Sequence, residues 1–157
     1  MLKKLVFMRG LPGSSKSTHA HELKAKHHDS CWIFATDDYW MRPDGVYDFN
    51  LDLIGESHAW NQKRTNAIME AERVQQWDSI IVIDNTNITF DEMKPYIKMA
   101  LKHGFEIEFV EPDTEWKYDV EECYTRNTHG VPYSTILRMY NEWEDHETVM
   151  KKFMGLK

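Results

Sequence analysis

The stretch Gly10-Leu11-Pro12-Gly13-Ser14-Ser15-Lys16-Ser17-Thr18 constrains this 157-residue chain more than any other feature. It follows the apolar run Leu5 to Met8 and opens a segment of helical character, so it lies where a buried strand turns into a helix. In that setting successive backbone N–H groups and a helix N-terminus converge on an anion, a lysine pairs with the β- and γ-phosphates, and the next hydroxyl holds Mg²⁺. Here Gly10 opens the loop, Lys16 is the phosphate lysine and Ser17 the magnesium hydroxyl, with Pro12, Gly13, Ser14, Ser15 and Thr18 completing the nucleotide-binding set. The pattern Gly-x-x-x-x-Gly-Lys-[Ser/Thr] fails at one position, where Ser15 stands for glycine. If that residue is left-handed, its side chain costs roughly 1–2 kcal/mol and crowds the phosphate. The competing reading is a polar turn, since Gly-Ser-Ser runs are common there.

The rest of the chain reads as alternating strands and helices. Leu2 to Met8 is a buried strand, Ser17 to about His28 a helix, and Trp32 to Ala35 a short strand leading into Thr36-Asp37-Asp38-Tyr39-Trp40. Arg42-Pro43-Asp44-Gly45 carries turn chemistry. Leu51 to about Gln76 reads as one helix with Ile54, Ile68, Ala71 and Val74 as core candidates. The β-branched run Ile80 to Ile83 suits a strand covered on both faces. Met93, Tyr96, Ile97, Ala100 and Leu101 follow helical spacing up to Gly104. Phe105, Ile107 and Phe109 alternate with Glu106 and Glu108, which predicts a wetter strand toward a sheet edge. Helices are expected over about Trp116 to Asn127 and Tyr133 to Phe153, the second with Ile136, Met139, Tyr140, Trp143 and Met150 along one side. The fold expected is α/β: a mostly parallel sheet of four to five strands with helices on both faces and a helical lid at about 116–135, forming one domain over 1–157. Ligands in that architecture bind beyond the carboxyl ends of the strands.

Composition narrows the function classes. With 26 acidic against 19 basic residues, the formal charge of −7 argues against a coat for nucleic acid, leaving room for a small basic cleft. Cys31 and Cys123 stand far apart with no metal-type spacing, which predicts a reducing compartment. The N-terminal apolar run is too short to span a bilayer and is broken by Arg9 and Gly10; a soluble, cytoplasmic protein without a membrane partner is expected. The eight histidines form no ligand set with cysteine. The single His-x-Thr, His146-Glu147-Thr148, argues against a two-histidine phosphodiesterase, and no Asp-x-Asp-x-Thr phosphatase motif occurs.

Three carboxylates follow strands. Asp84 closes an apolar run as the metal-binding acid of a nucleotide site does, or else forms an Asx turn with Asn85. Asp37 suits a general base close to the γ-phosphate, whereas Asp37 or Asp38 would equally cap a helix from Tyr39. Arg126, near the break His129-Gly130-Val131-Pro132, is either a mobile cation closing over the nucleotide or a solvated arginine favoured by a helix C-terminus. Trp40 and Trp60 are core residues or, lining the cleft, platforms for a base.

With these pieces placed, the chain resembles P-loop kinases of the polynucleotide 5′-kinase type, in particular the P-loop domain of the Nedd-binding protein family. The resemblance rests on Arg9 to Ser14, Thr36-Asp37-Asp38-Tyr39, Trp60-Asn61-Gln62-Lys63-Arg64, Asp84-Asn85-Thr86-Asn87, Met93-Lys94-Pro95-Tyr96, Glu111-Pro112-Asp113-Thr114 and Arg126-Asn127-Thr128-His129-Gly130-Val131, in the family's order across nearly the whole chain. It implies transfer of a phosphoryl group from ATP (or GTP), with Mg²⁺, to the 5′-hydroxyl of a DNA or RNA end. Asp37 then becomes the general base, and Lys16 and Arg126 the cations on the transferred group. Ser17 and Asp84 become the metal residues, and Asp38, Arg42 and Asn87 contacts for the nucleic acid end. The polynucleotide kinases carry an arginine three residues after the catalytic aspartate where this chain has Trp40, and a more basic lid. Trp40 and the acidic surface sustain one rival reading, a kinase for a nucleoside or other small acceptor, and Ser15 in the loop sustains another, a nucleotide-binding module of weak catalysis.

Overall fold

A computed structural model describes residues 1–157. Four strands, β1 (Lys3–Met8), β2 (Cys31–Phe34), β3 (Ser79–Ile83) and β4 (Glu106–Val110), form one parallel sheet in the order β2-β3-β1-β4. Their neighbours in sequence are α1 (Ser17–His27), α2 (Ile54–Glu72), α3 (Phe90–His103), α4 (Val120–Arg126), α5 (Tyr133–Glu142) and α6 (His146–Leu156). Side chains alternate across the central strands. Leu5, Phe7, Ile81 and Ile83 face Met69 of α2, Met93, Tyr96 and Ile97 of α3, and Phe153 of α6. Val6, Met8, Ile80 and Val82 face the opposite way, onto Ala20 and Leu23 of α1. Both faces of β3 are therefore covered, as its unbroken β-branched run predicts. The alternating β4 lies at an edge, also as expected. A third small core of Leu11, Ile88, Cys123 and Ile136 holds α4 and α5 against the loop after β1.

Several expectations need correction. The long segment from Leu51 begins with a 3₁₀ turn, Leu51–Leu53, and α2 ends at Glu72. Its inward face is Ser57, Asn61, Thr65, Met69 and Glu72, leaving Ala71 and Val74 exposed. These polar side chains tolerate burial because each is bonded: Ser57 to the Ile54 carbonyl, Thr65 to the Asn61 carbonyl, Asn61 to the Tyr96 hydroxyl, and Glu72 to Trp77 and Ser79. Hydropathy alone cannot locate such a face. In the lid, a turn and an Asp119 cap precede α4, which is shorter than expected. The last helix is broken at Trp143-Glu144-Asp145, where Asp145 caps α6 by accepting from the Thr148 N–H at 2.8 Å. Tyr140 and Leu101 are exposed.

The break is functional for packing. Arg9, completely buried, donates to the carbonyls of Asn87, Ile88 and Glu144 and lies 4.4 Å over the Trp143 ring. The Glu144 carboxylate accepts from the Phe90 N–H at the start of α3 and pairs with Lys152. Burial on its own would raise the Glu144 pKa, but Lys152, the Phe90 N–H and Arg9 together hold it below the ordinary carboxylate value. Its stabilising contribution is present above the unfolded pKa and lost as pH falls through the lower folded one.

Candidate nucleotide and phosphoryl-transfer site

The carboxyl ends of the strands deliver four segments to one edge: the glycine-rich loop from β1, Thr36-Asp37-Asp38 from β2, Asp84-Asn85 from β3 and Glu111-Pro112 from β4. The loop is fastened below by the Gly10 N–H to the Thr86 carbonyl at 3.0 Å, and outside by Trp116 and Thr114, which donate to the Gly13 and Ser14 carbonyls. A Cβ at Gly13, whose φ is +83°, would sit 2.1 Å from the Cys123 carbonyl oxygen of α4. Loop and lid thus meet backbone to backbone, and only glycine fits between them. Ser15 has φ +69°, the left-handed conformation that makes it the costly substitution anticipated above. Lys16 stands at the start of α1, which has no side-chain cap. The Thr18 N–H is bonded to the Ser15 carbonyl at 3.3 Å, and no side chain competes with an anion for the N–H groups of this first turn.

Ser17 Oγ donates to Asp84 Oδ2 at 2.7 Å, joining the loop to the end of β3. The other Asp84 oxygen, Oδ1, is buried with no partner in the chain. One hydroxyl and one carboxylate, the latter with an unpaired oxygen, fit Mg²⁺, which binds through one or two protein oxygens and otherwise through waters and phosphates. No group of three or more acidic, His or Cys side chains gathers anywhere to form an all-protein metal cage.

Arg126 ends α4 and is half exposed; its Nε donates to Glu122 at 2.7 Å and its guanidinium lies 3.7 Å over Trp116. Since Trp116 also holds the Gly13 carbonyl, Arg126 is placed beside the phosphate loop. The buried Cys123 thiol is pushed up to about 11 by burial and by Asp119 and Glu122, which keeps it protonated and unreactive. Both cysteines are free.

Around Asp37 the structure adds partners that the sequence does not announce. Asp37 is exposed; its Oδ1 accepts from the Tyr47 hydroxyl at 3.0 Å, and its Oδ2 lies 3.8 Å from Nδ1 of His129 at the lid tip. Asp38 points elsewhere, pairing with Arg64 at 2.8 Å, and Arg64 in turn lies 3.9 Å over Trp60. Arg42 pairs with Asp44 at 3.0 Å on the surface.

One expected contact does not survive, and one open alternative is settled. Asn87, expected at the nucleic acid end, is 2% exposed and its amide donates to the carbonyls of Met8, Ile83 and Asn85. It is a brace between β1 and β3 whose donors are already used. Trp40 is 5% exposed and packs against Tyr39 and Phe49, so its face is not open to a base. Sequence reading also gave no bonding role to Arg9, Tyr47 or Arg64. The only available signal was an arginine inside an apolar run, which must find carbonyls if it is to be buried.

Comparison with known proteins agrees with this fold. A family model described as AAA domain matches residues 5–143. Human NEDD4-binding protein 2 is 42% identical over 140 residues, 89% of this chain but 8% of that protein. Mouse 2′,3′-cyclic-nucleotide 3′-phosphodiesterase is 29% identical over 125 residues, 80% of this chain and 27% of its own length. The chain therefore spans well under a third of the curated relatives it matches. Among solved structures, the Pnkp1/Rnl/Hen1 RNA repair complex contains a chain that superposes with a TM-score of 0.68 at 19% identity, over 96% of this chain and 46% of that one. Kti12 of Chaetomium thermophilum, solved in complex with ADP-AlF3, superposes with a TM-score of 0.54 at 14% identity, over 97% and 96% of the two chains. These structures share the P-loop kinase-like fold.

Proposed function

The chain belongs to the AAA domain family of P-loop proteins, and on that premise we propose that it transfers the γ-phosphoryl group of ATP to the 5′-hydroxyl of a DNA or RNA end. The observation that carries the reading is the sharing of one sheet edge by the Ser17–Asp84 pair and the exposed Asp37. A donor-holding loop and an exposed carboxylate on the same sheet edge are the two things phosphoryl transfer needs from a protein.

In this reading the loop N–H groups and Lys16 hold the phosphates, and Arg126 moves from Glu122 onto the transferred group as charge develops there. Ser17 and Asp84 hold Mg²⁺, which neutralises phosphate charge when bound. Asp37 accepts the acceptor's hydroxyl proton as the new O–P bond forms and the bond from γ-phosphorus to the ADP oxygen breaks. Similarity in fold to a chain of an RNA repair complex is in keeping with a nucleic acid acceptor. The test is transfer of labelled γ-phosphate to a 5′-hydroxyl oligonucleotide, with Lys16→Ala as control. Label that depends on Lys16 and sits at the 5′ end supports the proposal; ATP binding without any transfer to the oligonucleotide sinks it.

One observation favours a second acceptor class. From Thr36 to Glu56 the acceptor side carries Asp37, Asp38, Asp44, Asp48, Asp52 and Glu56 against a single arginine, Arg42, itself paired. An uncharged acceptor such as a nucleoside meets less repulsion there than a phosphodiester chain. Running nucleosides beside oligonucleotides in the same assay separates the two.

A further inference from the structure

Resting on that reading, we propose that Tyr47 is a positioning residue for Asp37: the hairpin after β2 exists to bring its hydroxyl onto one carboxylate oxygen, leaving the other for the acceptor. The hairpin is closed by an antiparallel bridge between Met41 and Tyr47, by the Arg42 N–H to the Val46 carbonyl at 2.9 Å, and by the Asp48 N–H to the Trp40 carbonyl at 2.8 Å. Gly45, at φ +85°, makes the turn, and the buried Trp40, wedged between Tyr39 and Phe49, anchors the base. This construction carries Tyr47 back to the residue from which the segment departed, ten positions earlier in the chain. The O–H donates to Oδ1 at 3.0 Å, and the ring meets the His129 imidazole edge-on at 5.0 Å.

The consequence for Asp37 is directional. A carboxylate on an exposed turn has two free torsions, and a donor on Oδ1 fixes the plane so that Oδ2 faces the lid tip. The acceptor hydroxyl is therefore received between hairpin and lid. Trp40 takes on a different duty from a phosphate-holding arginine at that position: it secures the hairpin. Tyr47 stays a donor throughout the working range, since burial and the Asp37 charge both push its ionisation upward.

The experiment compares wild type, Tyr47→Phe, Asp37→Asn and the double variant. Tyr47→Phe keeps the ring on His129 and removes only the donor. We expect kcat to fall about tenfold, with the acceptor KM and the ATP Kd within about twofold of wild type. In the Asp37→Asn background the same change should cost nothing further. Equal losses in both backgrounds, or a loss confined to KM, overturn the proposal. A second readout does not depend on turnover. Following tyrosinate absorbance with pH, Asp37→Asn removes the nearby charge, so one tyrosine should ionise at lower pH, and that difference should vanish when Tyr47 is already Phe. No such difference overturns the contact even in an active enzyme. If the difference appears but wild type transfers phosphate to no acceptor, the phosphotransferase reading fails while the positioning of Asp37 stands.

Discussion

The donor and acceptor sides of the cleft are built by opposite means. On the donor side the chain's own backbone makes the site: Gly13 is pressed against the Cys123 carbonyl, the Gly10 N–H is tied to Thr86, and α1 begins uncapped. On the acceptor side a 3₁₀ turn and a hairpin hold Asp37 through side chains, with Trp40 as anchor, Arg64 gripping Asp38 and Tyr47 reaching back across the turn. A site formed by backbone is rigid and general, while one formed by side chains on a surface hairpin changes its substrate when a few residues change.

If that contrast holds, Gly13→Ala should do the most damage. Its methyl has no room, so ATP binding should be lost in a fluorescence titration, with the lid displaced; ordinary affinity would break the claim that backbone contact sets the donor site. Next comes Asp37→Asn. Transfer should drop about 10²–10⁴-fold while ATP binding persists, and loss of both together would show that the two sides are not separable. Trp40→Ala should cost about 3 kcal/mol in urea unfolding, local to the hairpin, and leave ATP affinity intact. The smallest effect is expected from Ser15→Gly, which relieves a left-handed side chain and should raise stability by about 0.5–1 kcal/mol, with ATP affinity rising a few-fold. An unchanged or lower stability would mean that the loop has adapted fully to serine.

Legibility in the sequence follows the same divide. The glycine-rich loop, Ser17 and Asp84 were readable because a phosphate cradle needs particular residues at fixed spacing on a strand-to-helix turn, and the structure brings Ser17 and Asp84 into contact. The hairpin's function was not readable. Tyr47 lies ten residues from Asp37 in an exposed, turn-rich segment, and nothing in local periodicity marks it. Asn87 is expected in the cleft because its neighbours in the chain belong there, yet its side chain turns inward, whereas burial of Trp40 bears out the core reading of that residue. The inner face of α2 was misplaced for a related reason, since a polar residue with a partner can be buried and only the folded chain supplies the partner.

Local chemistry and hydrophobic period were enough to determine the strands and the phosphate loop, because each depends on residues within a few positions of one another, and the alternation of strands with helices was enough to imply a parallel sheet with its wetter strand, β4, at an edge. Tertiary structure alone decided which polar groups are structural, where the long C-terminal segment breaks and what holds Asp37. Those outcomes depend on pairs such as Arg9 with Glu144, Asn61 with Tyr96 and Asp37 with His129, which are far apart in the chain. A buried charge or amide finds its place only when a partner is within about 3 Å, and that proximity is a property of the fold.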